Sequence, residues 1–425
     1  MATFVVRGGR RLSGTVRPAG NKNAALPMMA AALLTDQPVV LENVPRIRDV
    51  ETLRELLCAL GAEAEWTGDG TLRLCGRGAR PGKIDPALAA RIRASVLLAG
   101  PLLARAGALE LPPPGGDVIG RRRLDTHFLA FRRLGAEVEA GDVYRIRAKA
   151  LRGTDVFLDE PSVTASENAV MAAVLARGTT TLRNVAAEPH VQQLCRLLVA
   201  MGARISGIGT HELTVEGVDA LGGATARIEP DHIEVGSFVG LAAVTRSELT
   251  IEPVEPRHLD AIRLAFERLG VEWELRDTRL RVPADQRLEI QMDFGERVPK
   301  IDDGPCPAFP ADLISIATVV ATQCRGTLLV HEKMFESRMF FVDKLISMGA
   351  RIVLCDPHRA VVVGPSPLRG SEVESPDIRA GMAILIAALG AEGTSRIHNV
   401  GQIERGYERI EERLRALGAE IERLE

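Results

Sequence analysis

This chain is poor in aromatic residues and in lysine. Two Trp, two Tyr and 11 Phe make up 4% of its 425 residues, and only 6 of the 53 basic residues are lysines. Cysteine is scarce and scattered: Cys58, Cys75, Cys195, Cys306, Cys324 and Cys355 form no CxxC pair. Neither a disulfide framework nor a cysteine zinc site is expected, and the pattern fits a reducing compartment. The eight histidines show no HExxH or other metal-ligand spacing, so no metal or other cofactor is expected. Lys83 follows Gly82, but Ile84 stands where a phosphate loop needs Ser or Thr. No serine lies in a hydrolase elbow, which removes a covalent serine mechanism. No apolar run approaches the length of a bilayer span. The stretch MATFVVRGGRRLSG is too polar for an export signal, so a cytoplasmic protein is expected. A net charge of −3 argues against nucleic acid or an anionic membrane as the main partner.

What the chain does contain is a repeat. LGAEAEW at Leu60 recurs as LGAEVEA at Leu134, MGARISG at Met201, LGVEWEL at Leu269, MGARIVL at Met348 and LGAEIER at Leu417. The glycines, Gly61, Gly135, Gly202, Gly270, Gly349 and Gly418, are spaced by 74, 67, 68, 79 and 69 residues. Each closes an amphipathic helical pattern, as in Val50–Leu60, Val191–Met201 and Ile410–Leu417, at the C′ place where glycine ends helices. Alternating residues then predict a strand. Every repeat also holds a helix apolar nearly all round, hence buried: Ala24–Leu34, Ala90–Leu103, Ala165–Ala176, Gly236–Val244, Leu313–Thr322 and Ile378–Leu389. A short strand follows each (PVVLENV, ALEL, TTTLRNV, ELTIEPV, TLLVHEK, SRIHNV). Six α/β modules predict two lobes of three, with the chemistry in the crevice of the pair.

The stretch with the densest chemistry is LPPPGGDVIGRRRLDTH, Leu111–His127. Three prolines forbid regular structure, two glycines loosen the backbone, and Asp117 then precedes Arg121, Arg122 and Arg123. An acid beside concentrated positive charge on a mobile loop suits a lid over an anionic substrate. A surface loop with solvated arginines is the competing reading. Lys22 and Asn23 stand where the first buried helix begins, the end of a helix that attracts anions. A simple helix-start loop is the alternative there. Arg93, Asp312, Arg338, Arg379 and Arg405 sit at comparable edges of later elements. Any one alone reads as a structural charge; their recurrence points to a polyanionic ligand.

Eight motifs run in order through the chain: NKNAALP, RASVLLAGP, PGGDVIGRRRLDTH, PSVTASEN, PAFPADL, MFESRMFFVDKL, DIRAGMA and RGYERIEERLRALGA. Together they resemble the UDP-N-acetylglucosamine 1-carboxyvinyltransferases, an enolpyruvyl transferase family, over the whole length. The shikimate-pathway enolpyruvyl transferase is similar in fold and a weaker match. The resemblance implies a two-lobed inside-out α/β barrel of six βαβαββ repeats. Residues 22–233 would form lobe I, carrying the lid 111–127, and 1–21 plus 234–425 lobe II. It implies transfer of the enolpyruvyl group of phosphoenolpyruvate to the 3-hydroxyl of UDP-N-acetylglucosamine with release of phosphate. That is the committed step toward peptidoglycan, and hence toward cell shape and division. The same chemistry on another acceptor, a uridine nucleotide or shikimate 3-phosphate, and a non-catalytic nucleotide-sugar binder are the alternatives. Oligomeric state is left open, with a monomer as the working expectation.

By motif position, Lys22, Asn23, Arg122, Arg338, Arg379 and Arg405 would hold phosphoenolpyruvate. Asn23, Arg93, Arg122, Arg123, Leu124, Asp125, Thr126, Ser162, Val163, Thr164, Asp312, Met334 and Phe335 would contact the nucleotide sugar. Asp117, Lys22, Asp312 and Arg405 would be catalytic, Asp312 taking the proton of the attacking hydroxyl. Most relatives carry cysteine at the lid position held here by Asp117. A carboxyl is a far stronger acid than a thiol, ~3.9 against ~8.5. Asp117 is therefore expected to gain its proton only when substrate anions neutralise the arginines and the lid excludes water. A carboxylate also attacks an epoxide poorly, so resistance to fosfomycin is expected. Arg123 and Thr164 stand where many relatives have Pro and Gly, which leaves base and sugar preference open.

Overall fold

The computed structural model describes residues 2–80 and 84–425, so Lys83 lies outside the described residues. The chain divides into two compact units. One comprises Gly20–Asp117 and Arg122–Glu229; the other comprises Met1–Ala19, Val118–Arg121 and Pro230–Glu425.

The repeating module is shown by residues 155–216. Strand Asp155–Phe157 leads into buried helix Val163–Ala173, strand Thr179–Arg183, amphipathic helix Pro189–Ala200, and the hairpin Arg204–Ser206 with Glu212–Glu216. The first two strands pair in parallel and the hairpin closes antiparallel on the second. Six sheets follow this pattern, five of four strands and one, Ala108–Leu111 with Glu137–Glu139 and Tyr144–Arg147, of three among the described residues. All six repeat glycines have positive φ, from 72° to 106°, at the ends of the amphipathic helices. Only glycine adopts that conformation without strain, which is why the phrase recurs.

Three modules complete themselves with strands borrowed from elsewhere in the chain. Ser13–Val16 pairs in parallel with Glu248–Ile251, Ala224–Arg227 pairs in parallel with Val39–Glu42, and Thr3–Arg7 lies between Thr394–His398 and Glu420–Leu424.

The apolar helices are the interior. In the second unit, His232–Thr245, Ile314–Gln323 and Ile378–Gly390 pack on one another, and every residue of the first is buried. The approach is close: a Cβ on Gly240 would stand 2.5 Å from Cγ2 of Ile316. In the first unit, the segment Arg93–Ala106 packs against Lys22–Ala31 and Val163–Ala173. Helices inside and sheets outside are what all-round apolar and one-sided patterns respectively require.

One expected helix is interrupted. Residues 90–103 do not form a single helix; Pro86–Ala89 ends, Ile92 is extended, a 3-10 turn spans Arg93–Leu98, and the α-helix runs Ala99–Ala106. Two causes are visible. The Ala89 carbonyl is taken by the Gly115 N–H (3.1 Å) and the Ser95 hydroxyl (3.1 Å) instead of by a helical amide. Pro101, which has no N–H, is tolerated only in the first turn of the helix beginning at Ala99.

Candidate functional site

The expected site residues gather in two clusters, one within each unit. In the first unit, Lys22 is the first residue of helix Lys22–Ala31, whose N-cap Asn21 accepts the Ala24 N–H at 2.8 Å. The Lys22 ammonium is buried against Asp49, Nζ to Oδ2 2.7 Å. Asp49 lies in the first turn of Arg48–Ala59, and nothing in the sequence marked it, because an acid there also suits the helix dipole. Asn23, beside Lys22, is half-buried.

Arg93 reaches the far end of the Pro-Gly loop, donating to the carbonyls of Arg122 (2.8 Å) and Arg123 (3.1 Å). Burial, and then the like charge of Arg122, lower its pKa to about 10, so it stays cationic at neutral pH. The loop itself folds back on this segment. A Cβ on Gly116, at φ 109°, would lie 2.8 Å from Cβ of Arg93 and 3.3 Å from Nη1 of Arg122. Asp117 is half-buried just beyond.

The three arginines part company. Arg121 is exposed and belongs with the second unit, where its amide donates to Glu336 at 3.0 Å. Arg122 is half-buried, and Arg123 is engaged by Asp125 (3.2 Å) and Asp159 (3.0 Å). Thr126 donates to the other Asp159 oxygen at 2.6 Å. Leu124 is buried.

Behind them, His127 is buried in a network that fixes its tautomer. The Asn168 amide oxygen accepts the Gly100 N–H (2.7 Å), which assigns its NH2 as donor to Val96 O (2.9 Å) and His127 Nδ1 (2.9 Å). The proton is therefore on Nε2, which donates to Thr164 Oγ1 at 3.2 Å. Burial, and then Arg93, push this imidazole down to about 3. Ser162 immediately precedes the helix that begins with Val163 and Thr164, and all three are half-buried.

In the second unit, Asp312 occupies a 3-10 turn after Pro310 and is held by two guanidinium groups. Arg338 Nη2 donates to Oδ1 (3.1 Å), and Arg379 reaches Oδ2 with both Nε and Nη2 (3.0 Å each). Both arginines are buried. Desolvation disfavours the Arg338 charge, but the carboxylates facing it, Asp312 foremost, outweigh it and its pKa is raised. Arg379 has its helix capped by Asp377 and lies 5.5 Å from the ring centre of buried Tyr407. Arg405, half-buried, donates to Gln402 at 2.9 Å. Met334 is exposed, and Phe335 lies 5.0 Å beneath the Arg338 guanidinium. Their amides both point at Glu332, a fully buried acid that the sequence did not single out.

Six repeated α/β modules bearing arginine-rich, phosphate-suited clusters define an enolpyruvyl transferase. Residues 6–414 match the family described as EPSP synthase (3-phosphoshikimate 1-carboxyvinyltransferase), and the chain belongs to that family. Within it, the chain is 64% identical to the UDP-N-acetylglucosamine 1-carboxyvinyltransferase of Bradyrhizobium diazoefficiens, over 99% of this chain and 98% of that one. It is 57% identical to the enzyme of the same name from Treponema denticola, over 99% of each. The fold is similar to that of the enolpyruvyl transferase NikO from Streptomyces tendae, with TM-score 0.87 and 24% identity over 99% and 98% of the two chains. It is also similar to EPSP synthase from Acinetobacter baumannii, with TM-score 0.76 and 16% identity over all of both chains.

Proposed function

We propose that this protein transfers the enolpyruvyl group of phosphoenolpyruvate to the 3-hydroxyl of UDP-N-acetylglucosamine, releasing phosphate, as the committed step toward peptidoglycan in the cytoplasm. The observation that carries the reading is full-length identity of 49–64% to curated relatives of that name. No helix among the described residues is long and apolar enough to cross a membrane, in keeping with water-borne substrates.

The residues suit the chemistry. Phosphoenolpyruvate brings a carboxylate and a phosphate, and Lys22, Asn23, Arg122, Arg338, Arg379 and Arg405 supply cations and a donor for them. Guanidinium groups bind such oxyanions in pairs and keep their charge at any working pH. Asn23, Arg93, Arg122–Thr126, Ser162–Thr164, Met334 and Phe335 take the nucleotide sugar. Asp312 accepts the proton of the 3-hydroxyl as its oxygen bonds to C2 of phosphoenolpyruvate. Asp117 delivers a proton to C3, giving a tetrahedral adduct. Removal of a C3 proton then expels phosphate and restores the double bond. Acid and base assistance of this kind is worth roughly 10²–10⁴ in rate.

The test is phosphate release from phosphoenolpyruvate against a panel of acceptors. Release that depends on UDP-N-acetylglucosamine supports the reading; release with a uridine nucleotide or shikimate 3-phosphate instead, or none with any acceptor, overturns it.

A further inference from the structure

We infer that Glu332 is kept as an un-ionised carboxylic acid sharing its proton with Asp303, and that this buried acid pair is a positioning element. It leaves Arg338 to Asp312 and aims the Met334–Phe335 backbone. The inference rests on the function proposed above only for the role of Asp312; the protonation itself stands on geometry.

Both carboxyls are fully buried, at the ends of neighbouring parallel strands, Lys300–Asp302 and Gly326–His331. One oxygen of each is satisfied by backbone. Glu332 Oε1 accepts the Met334 (3.2 Å) and Phe335 (3.1 Å) amides, and Asp303 Oδ1 accepts the Lys333 amide. The remaining two, Glu332 Oε2 and Asp303 Oδ2, are buried without any donor. Two ionised carboxylates so placed would each carry a full desolvation penalty and repel the other. One proton between them removes both costs, and the parallel register that pairs Asp302 with His331 sets the two residues that follow, Asp303 and Glu332, side by side.

The charges facing the pair cannot take the proton's place. Arg338 Nε stands 3.8 Å from Glu332 Oε2, too far for a hydrogen bond, while its Nη1 and Nη2 serve Ala311 O and Asp312. Lys333 Nζ is given to Asp302 at 3.0 Å. His358 approaches through Nδ1, but it meets the Glu332 main-chain carbonyl (2.7 Å), not the side chain. Asp377 supports the Arg338 charge and Arg379 opposes it. Burial first, opposed by Arg338 and assisted by Asp303, pushes the Glu332 carboxyl up to about 9.

The consequence is a division of labour around one guanidinium. A neutral Glu332 does not compete for Arg338, whose charge goes to Asp312. An ionised Glu332 would draw Arg338 along the 3.8 Å gap and slacken its hold on the Asp312 carboxylate.

The test uses the full-length protein. Carbon-13 NMR of its glutamate side chains is expected to show un-ionised carboxyls at pH 7 from Glu332 and from Glu167, whose carboxyl burial also pushes up, and only the first of these signals is expected to vanish in Glu332→Gln. Glutamine keeps an acceptor for the two amides and a donor for Asp303. Its kcat/KM for both substrates is therefore expected within about threefold of wild type at pH 7, with the alkaline fall of the wild-type profile lost. Asp303→Asn removes the acceptor anion, so Glu332 is expected to ionise at lower pH and kcat to fall. An ionised set of glutamates in the wild type at pH 7 overturns the inference, and so does an un-ionised set left unchanged in Glu332→Gln. So does a loss beyond about tenfold in a Glu332→Gln protein of unchanged Tm. If the wild type releases no phosphate with UDP-N-acetylglucosamine, the proposed function fails, while the spectrum still decides the state of Glu332.

Discussion

Lys22 and Asp49 form a buried ion pair, Nζ to Oδ2 2.7 Å, between the first turns of two helices. Removing one partner of such a pair leaves the other charged and desolvated. Asp49→Ala is expected to destabilise the protein by about 3–5 kcal/mol, whereas replacing both with apolar residues of like size is expected to cost far less. Urea denaturation of the single and double variants checks this; equal losses in both would show that the pairing contributes nothing.

Asp312 is aimed by two arginines from different elements, Arg338 and Arg379. Asp312→Asn keeps the shape and removes the base. Phosphate release is expected to fall by about 10²-fold or more, with a smaller change in KM for the sugar nucleotide. A variant retaining near wild-type kcat would assign the proton to another group.

Asp117 is the residue whose replacement separates acid chemistry from nucleophilic chemistry. Asp117→Asn is expected to lose well over half its activity. Asp117→Cys is expected to remain active and to become subject to time-dependent inactivation by fosfomycin, to which the wild type is resistant. Rapid inactivation of the wild type contradicts this.

His127 is neutral in the folded state, its pKa lowered to about 3 from an ordinary 6.5. The unfolded chain binds a proton there at higher pH than the folded one does. The contribution of a neutral His127 is thus fully present above about pH 6.5 and is lost as pH falls toward 3. Tm measured from pH 7 down to 4 is expected to fall more steeply in the wild type than in His127→Gln. Parallel curves would show that the imidazole is not the titrating group.

Gly115 lies so close to the preceding segment that a Cβ would stand 1.7 Å from the Ala90 carbonyl oxygen. Gly115→Ala is expected to push the loop off that segment and break the Gly115–Ala89 hydrogen bond. Because a loop is displaced and no core is lost, kcat is expected to drop several-fold with Tm shifting by only a few degrees. A Tm loss comparable to that of a core variant would mean that the loop is part of the fold's support.

How much of this was legible beforehand follows from the range of each signal. The sixfold repeat, the buried helices and their strands are written in spacings of two to four residues and in a glycine needing positive φ, all read within one segment. Gly61 or Gly418 announces a helix end whatever surrounds it. The motifs likewise marked Lys22, Asp117, Asp312 and the arginines as a set. Their partners were not legible: Asp49 for Lys22, Asp159 for Arg123, Asn168 for His127 and Asp303 for Glu332 stand 27 to 41 residues away with no period linking them. Nor was the break at Ile92, where a loop amide more than twenty residues on claims the Ala89 carbonyl. The sequence by itself determined the modules, because helix and strand patterns are local. Only the tertiary structure decided which strand completes which sheet and which charge meets which, because burial and desolvation act on neighbours in space.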